Sequence, residues 1–533
     1  METPAIKKNK KRTSSIFNAA TLLIAASIMG QLLGFLRTKL VSANFPLVGP
    51  NSTDAYFAAF TVPDLFFYTI AAGALGIAFM PVLSDYIQRH GRKSIWHITS
   101  SFLNLLIIIM VLVGIFILIF ARPLVQHIVA PGLSPAQLTK ATEIMRLLSF
   151  NPLLFTVSGI ITSVQQTLGR FFFFAIAPMF YNLSIIASIF IFHNSLGLVG
   201  LGVGALVGAV LQLVVVIFGL KELNFSWHPK IEWRNPDFRL VLRNLPPSSF
   251  DQGMDQIEDV VETHIASGLG SGSISNYNYA YTLSTAPILL LGTSIATAAF
   301  PRLNARLSQN RPDLFRKDFL NVVRVMIWLT APVVVLCYFC RGYLARLIFS
   351  RGNDQIAIIF GFLTIAIFFR VIYSIISRWF YAQKDTRTPM YMSFFTIGFN
   401  IYLAITLARP NVYGVAGLAI AQSVVAATEV IILSLIMLHR DHKLLNGEFW
   451  SGVLKIASVT GFTILAGFIM ITLMPLGFFD RGFVTLGSKL IIITVVTLSV
   501  HLIISALFDL EETKPVLSFI RRVALKPIKY DVT

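Results

Sequence analysis

The sequence predicts an all-α polytopic membrane protein with about 14 transmembrane helices. Three observations carry this. Of 533 residues, 55% are hydrophobic and only 13% are charged, against roughly 25% charged in a soluble domain. Stretches of about 20 mostly apolar residues, enough to cross a bilayer, recur along the whole chain. The 43 Lys and Arg outnumber the 25 Asp and Glu, giving a net charge of +18, and the basic residues gather in alternate connections. This pattern excludes a soluble enzyme, a disordered chain and a disulfide scaffold, since two cysteines cannot staple a chain of this size. It also excludes nucleic-acid binding, which needs basic surface around a water-soluble core.

The expected spans are 16–43, 53–87, 98–120, 137–167, 171–192, 197–220, 240–267, 274–305, 319–340, 355–382, 389–408, 412–438, 451–474 and 484–508. Several exceed the bilayer thickness and should tilt or protrude. The first follows Lys7, Lys8, Lys10, Lys11 and Arg12. It is too long for a signal-peptide core, contains Gln31 and Arg37 and lacks a clear cleavage site, so it reads as a retained helix.

The connections near 44–52, 193–196 and 268–273 hold no Lys or Arg, and those near 409–411 and 475–483 hold only Arg409 and Arg481. On the other side lie the N-terminal cluster, Arg89, Arg92, Lys93, Lys221, Lys230, Arg234, Arg239, Arg306, Arg311, Arg316, Lys317, Lys384, Arg387, Arg440 and Lys443. The tail adds Lys514, Arg521, Arg522, Lys526 and Lys529. Positive charge favours the cytoplasm, so both termini are expected there. Arg341, Arg346 and Arg351 are the exception, on the outer side, as headgroup anchors or part of an outer gate.

Span 2 carries Asp54-Ala55-Tyr56, then Pro63, then Ala78-Phe79-Met80-Pro81-Val82-Leu83. Span 8 carries Tyr279-Ala280-Tyr281, then Pro287, then Ala299-Phe300-Pro301-Arg302-Leu303. This echo, six spans apart, suggests two parallel six-helix repeats related by a pseudo-two-fold axis, with two further helices. The expected organisation is a basic cytoplasmic N-terminus (1–15), an N-lobe (16–223), a cytoplasmic linker (224–239), a C-lobe (240–443), spans 13 and 14 (450–508) and a basic tail (509–533). Transporters built this way bind substrate between the halves and rock. Pro63, Gly73, Pro152, Pro287 and Gly292 are candidate bending points.

An ionisable residue inside a span costs roughly 2.5–3.5 kcal/mol on insertion scales. Span 1 carries Arg37 and Lys39, and span 2 carries Asp54 and Asp64. Span 7 carries Asp251, Asp255, Glu258, Asp259 and Glu262, spaced as one helical stripe. Such a stripe either lines water or pairs with bases such as Arg37, Lys39 or Arg370. Carboxylates suit Na⁺ or H⁺, so Asp255, Asp259 and Glu262, completed by Asn400 and Glu429, are the candidate cation-coupling set. Arg37 suits an anionic group such as phosphate, through its planar fork of donors. Cys337 and Cys340 lack the second pair or histidine cluster of a metal site. The sequence has no Gly-x-x-x-x-Gly-Lys loop for ATP. No cofactor, metal or catalytic residue is expected beyond the coupling ion.

Several stretches, in order, resemble one family. They are Gly34-Phe35-Leu36-Arg37; Thr53-Asp54-Ala55-Tyr56-Phe57-Ala58-Ala59-Phe60 with Pro63-Asp64-Leu65; and Gly73-Ala74-Leu75 with Ala78-Phe79-Met80-Pro81. Ala130-Pro131-Gly132, Ala177-Pro178 with Asn182, and Gly272-Ser273-Ile274-Ser275 follow. Phe380-Tyr381-Ala382 with Asp385-Thr386-Arg387-Thr388-Pro389 is the most specific. Together they resemble the MurJ (MviN) lipid II flippases of the MOP exporter superfamily, over nearly the whole chain. The resemblance implies fourteen helices in two lobes, a central cationic cavity and outward flipping of the undecaprenyl-pyrophosphate-linked peptidoglycan precursor. It implies lipid II and membrane lipids as partners, with cell-wall synthesis and division machinery as a further one. Arg37 and Asp54 match family cavity residues. Further family arginines fall here at Gln31, at Phe67 or Tyr68, and at Thr282, while Thr38 replaces an Asp. Gln31 and Lys39 join Arg37 and Asp54 as candidate substrate contacts. The missing arginines and the acidic stripe keep two alternatives open: an exporter of another lipid-linked saccharide or small cationic substrate, or a transport-dead membrane scaffold of the same fold.

Overall fold

The computed structural model describes residues 4–72, 75, 79–91, 94–221, 223, 225–349, 353–477, 480, 482–514 and 518, and side chains other than those of 4–21, 24, 244, 246–252 and 353. Gly73, Ala74, Ala78, Arg92, Lys93, Arg351, Arg481, the tail arginines and lysines beyond 518, and the side chains of Asp251 and of the N-terminal basic cluster lie outside the described residues.

Every regular element among the described residues is a helix. The α-helices are α1 (Pro4–Asn44), α2 (Thr53–Phe66), α3 (Met80–His90), α4 (Ile95–Pro123), α5 (Pro135–Leu148), α6 (Asn151–Thr167), α7 (Phe172–Phe192), α8 (Val199–Phe218) and α9 (Pro236–Ser267). They continue as α10 (Ser273–Pro287), α11 (Ser294–Ser308), α12 (Pro312–Phe339), α13 (Arg341–Ile348), α14 (Asn353–Ala382), α15 (Arg387–Leu407), α16 (Ala416–Arg440), α17 (Gly447–Leu473) and α18 (Phe483–Leu507). Among the described residues, eleven spans, from Ile95 onward, are long and apolar enough to cross a membrane. Each coincides with an expected span. The other three expected spans are helical where they are described, but α9 carries too many carboxylates to pass on hydropathy. The short helix α13 was not foreseen, because eight residues with two arginines carry no span signal.

The chain divides into two compact units, Met1–Ser275 and Asn276–Thr533. In the first unit, α9 packs against α2 and the turn that follows it. The core of this unit is built from α3, α4, α6, α8 and the start of α9, with Phe79 stacked on Phe102 at 4.6 Å. The segment 225–235 lies along the start of α4: Trp227 Nε1 donates to Asn104 Oδ1, and Asn104 Nδ2 donates to the His228 carbonyl. Helices α7 and α8 approach closely because Gly200, Gly204 and Gly208 recur every fourth residue. A Cβ on Gly208 would stand 3.0 Å from the Tyr181 carbonyl oxygen. Lipid supplies no hydrophobic drive between helices, so such close backbone contact is how they bind.

Pro63 and Pro287 each lie just before a π-helical segment, Phe67–Ala72 and Ile288–Thr293. A proline ring removes an i to i−4 hydrogen bond and crowds that carbonyl, and a widened turn absorbs the mismatch. The same device therefore stands in both echoed spans. Gly253 on α9 has no side chain to keep the first π segment away: a Cβ there would lie 2.8 Å from Thr69.

In the second unit, the motif around Asp385 is a folding device. Asp385 Oδ1 accepts from the backbone N–H groups of Arg387 and Thr388 and so opens α15. Arg440, at the end of α16, donates to Asp385 Oδ2 at 2.6 Å and to Thr388 Oγ1 at 2.7 Å, and lies over the Phe380 ring at the end of α14. One arginine thus ties three helix ends. Partial burial alone would raise the Asp385 carboxyl. Hydrogen bonds from the Thr388 hydroxyl, Arg440 and the Thr388 backbone outweigh it and hold the group down to about 2. Helix α17 packs on α12 through Ile456 and Val459 around Trp328, while α18 and the turn after it attach through Trp328 Nε1, which donates to Ser505 Oγ, and through an Arg324–Glu512 ion pair at 2.6 Å.

Candidate functional site

In the first unit, Arg37 sits on α1, partly exposed, one turn beyond the Gly34 that starts its motif. Its charge acts on Tyr56 and Asp64 of α2 and on Tyr181 of α7. Asp64 also lies within electrostatic reach of Asp259 on α9, and Asp259 within that of Asp255 and Glu262. Tyr68, exposed on the first π segment, feels both Asp64 and Asp259. The result is a mixed-charge cluster: one arginine, then Asp64, then the α9 carboxylates, with phenol rings beside them. Gln31 is exposed on α1, and Lys39 is partly exposed two residues past Arg37.

The α9 stripe divides by environment. Asp255 and Asp259 are exposed, whereas Glu258 and Glu262 are 8% and 4% exposed. Helical spacing put all of them on one side, but residues three and four apart fall on neighbouring rows. One row packs and the other faces out.

Asp54 has a different position. It is 1% exposed. Its Oδ2 accepts from the Gly272 N–H at 2.5 Å, and its Oδ1 accepts from the Ser275 N–H at 2.8 Å and the Ser275 hydroxyl at 2.7 Å. Thr53 Oγ1 meets the same hydroxyl at 2.7 Å, and Ser52 Oγ accepts from the Asp54 N–H. The Asp54 carboxylate therefore holds the turn after α9 and the first residues of α10. The loop at Gly132 holds the end of α9 from another side. The Gly132 N–H donates to Ser267 Oγ, and a Cβ on Gly132 would overlap the Ser267 backbone. Gln137 of α5 donates to Ser271 Oγ. Two stretches of the family-like pattern, Ala130-Pro131-Gly132 and Gly272-Ser273-Ile274-Ser275, are thus explained by one junction.

In the second unit, Arg370 of α14 pairs with Glu429 of α16 at 3.2 Å and donates to Gln422 Oε1 at 3.3 Å. Glu429 is almost fully buried, and Asn400 of α15 is fully buried. The five residues expected to couple a cation therefore divide, Asp255, Asp259 and Glu262 in the first unit and Asn400 and Glu429 in the second.

Sequence reasoning undervalued Asp64. It named Asp64 as an intramembrane charge but did not join it to Arg37. The tyrosines gave no signal, since an aromatic ring on an apolar helix is usually core.

The profile of one family, described as "Lipid II flippase MurJ", matches residues 49–506. The chain belongs to this family. A relative named "Probable lipid II flippase MurJ", from Buchnera aphidicola subsp. Acyrthosiphon pisum (strain APS), is 27% identical over 429 residues, covering 77% of this chain and 82% of the relative. A solved structure titled "Lipid II flippase MurJ, inward closed conformation" superposes with a TM-score of 0.76 at 23% identity, covering 92% of this chain and 98% of that one. An inward-facing MATE family multidrug transporter of the MOP superfamily shares the fold with a TM-score of 0.64 at 14% identity, covering 82% of this chain and 98% of that one. This MurJ-family chain is a multi-pass membrane protein of a transporter family.

Proposed function

We propose that this chain flips lipid II, the undecaprenyl-pyrophosphate-linked peptidoglycan precursor, from the cytoplasmic to the outer leaflet of the bacterial plasma membrane by alternating access. The family match across 49–506 carries the reading. The position of Arg37 supports it: a partly exposed guanidinium on a membrane helix, matched to a pyrophosphate by two parallel N–H donors. Asp64 lies within electrostatic reach of the same guanidinium. Asp54 acts in this reading as a positioning residue. Both termini lie in the cytoplasm, as the loop charges favour. The exposed carboxylates Asp255 and Asp259 act as the Na⁺ or H⁺ coupling element, and cell-wall synthesis machinery takes up the flipped product.

Complementation of a strain depleted of its own lipid II flippase tests the reading. Rescue by the chain, lost on Arg37→Gln without loss of membrane expression, supports it. Failure of the well-expressed wild-type chain to rescue would refute it. The exposed α9 carboxylates favour a second reading, export of a cationic substrate. That reading expects Asp255→Asn with Asp259→Asn to abolish export in a strain whose lipid II flipping is normal.

A further inference from the structure

Within the second unit, the end of α12, α13, the start of α14 and α17 enclose a cleft of about 520 Å³. Its walls are apolar, with Ile358, Phe468 and Ile471 among them, and Ile358 and Phe468 are exposed. Two opposite charges stand in the lining, Arg341 and Asp354. Neither makes an ion pair among the described residues. Arg341 is held in place. It donates from Nη1 to the Tyr338 carbonyl at 2.7 Å, its guanidinium lies 4.5 Å over the Tyr338 ring, and its stem runs across Gly361, where a Cβ would come within 2.9 Å of Cδ. These contacts leave guanidinium donors over, and the fork is rigid. Asp354, exposed in the first turn of α14, keeps its carboxylate for an outside donor.

An apolar trough with a fixed cation and a separate anion at its polar groups matches one kind of membrane molecule. We propose that this cleft is a binding site for a zwitterionic phospholipid bearing a primary ammonium, of the phosphatidylethanolamine class. Its phosphate sits on Arg341, its ammonium donates to Asp354, and an acyl chain lies along Ile358, Phe468 and Ile471. A purely anionic headgroup satisfies Arg341 but meets Asp354 as a like charge. A choline headgroup has no N–H to donate. On the topology that the loop charges predict, the cleft belongs to the outer leaflet. The proposal does not rest on lipid II being the substrate, and its readout is lipid retention, so the failure of one reading leaves the other standing.

The test is native mass spectrometry of the purified full chain released from nanodiscs with equal parts phosphatidylethanolamine, phosphatidylcholine and phosphatidylglycerol. The wild-type chain should retain phosphatidylethanolamine over phosphatidylglycerol by about fivefold, the scale of one partly exposed ion pair. Asp354→Asn should erase that preference. Arg341→Gln should lower retention of all three lipids. Arg341→Lys, which keeps the charge but loses the fork and the ring contact, should lower retention and keep the order. Equal retention of the three lipids by the wild-type chain, or an unchanged preference in Asp354→Asn, overturns the proposal.

Discussion

Removing the Asp54 carboxylate should unfasten the junction between α9 and α10, and the size of the effect follows from its partners. The carboxylate accepts two backbone N–H groups and one hydroxyl in a site 1% exposed. In Asp54→Ala the Ser275 hydroxyl keeps Thr53 Oγ1 as a partner, but the Gly272 and Ser275 N–H groups have none. A buried donor left unsatisfied costs roughly 1–3 kcal/mol, so the loss should be about 4 kcal/mol. Asp54→Asn keeps one acceptor and turns an amide NH₂ toward the other N–H, which predicts about half that loss. Equilibrium unfolding of the purified protein in detergent measures both. Transport adds a second readout. A defect that comes from lost stability should recover as the growth temperature of the complemented strain is lowered, whereas an Arg37→Gln defect should persist. Asp54→Ala unfolding within about 1 kcal/mol of wild type would refute the junction argument.

Two further perturbations follow from the packing. Gly204→Val should cost about 1–3 kcal/mol by overpacking α7 against α8, since a Cβ there lies 3.2 Å from the Ile185 Cα and against the Ser188 side chain. Gly398→Val, with nothing within 4 Å, should cost well under that in the same unfolding assay. The Asp385 carboxyl, held at about 2 against an ordinary 3.8, contributes stability that is fully present above about pH 4 and lost as pH falls through 2. The contribution is at most about 2 kcal/mol. Unfolding at pH 5 and pH 3 should show part of that loss in wild type, and Asp385→Asn should remove the difference.

The spans were legible because lipid imposes one rule, a long apolar helix, and the chain obeys it at eleven of the fourteen expected spans. The proline-centred echo was legible for a related reason: Pro63 and Pro287 each precede a π-helical segment, so the same backbone solution stands in both spans. The site was legible only in part. Arg37 stands out against apolar neighbours, but its link to Asp64 depends on how α1 and α2 face each other, which periodicity does not encode. The role of Asp54 was not legible, because a buried carboxylate signals equally well a ligand contact or a helix-end clamp. Only the amide groups aimed at it decide between them. The motif around Asp385 was the most recognisable in sequence and belongs to architecture, since three helix ends converge on one arginine there.

The acidity of α9 bears on how the protein is made. A segment with five carboxylates between 251 and 262 would resist entering lipid alone, because each charge adds roughly 2.5–3.5 kcal/mol. Its packing neighbours in the first unit precede it in the chain, and Glu258 and Glu262 on it are buried. Translation therefore supplies the host before the guest. The earlier helices must be inserted and waiting when α9 emerges from the ribosome, and its residence in the bilayer depends on that order of synthesis.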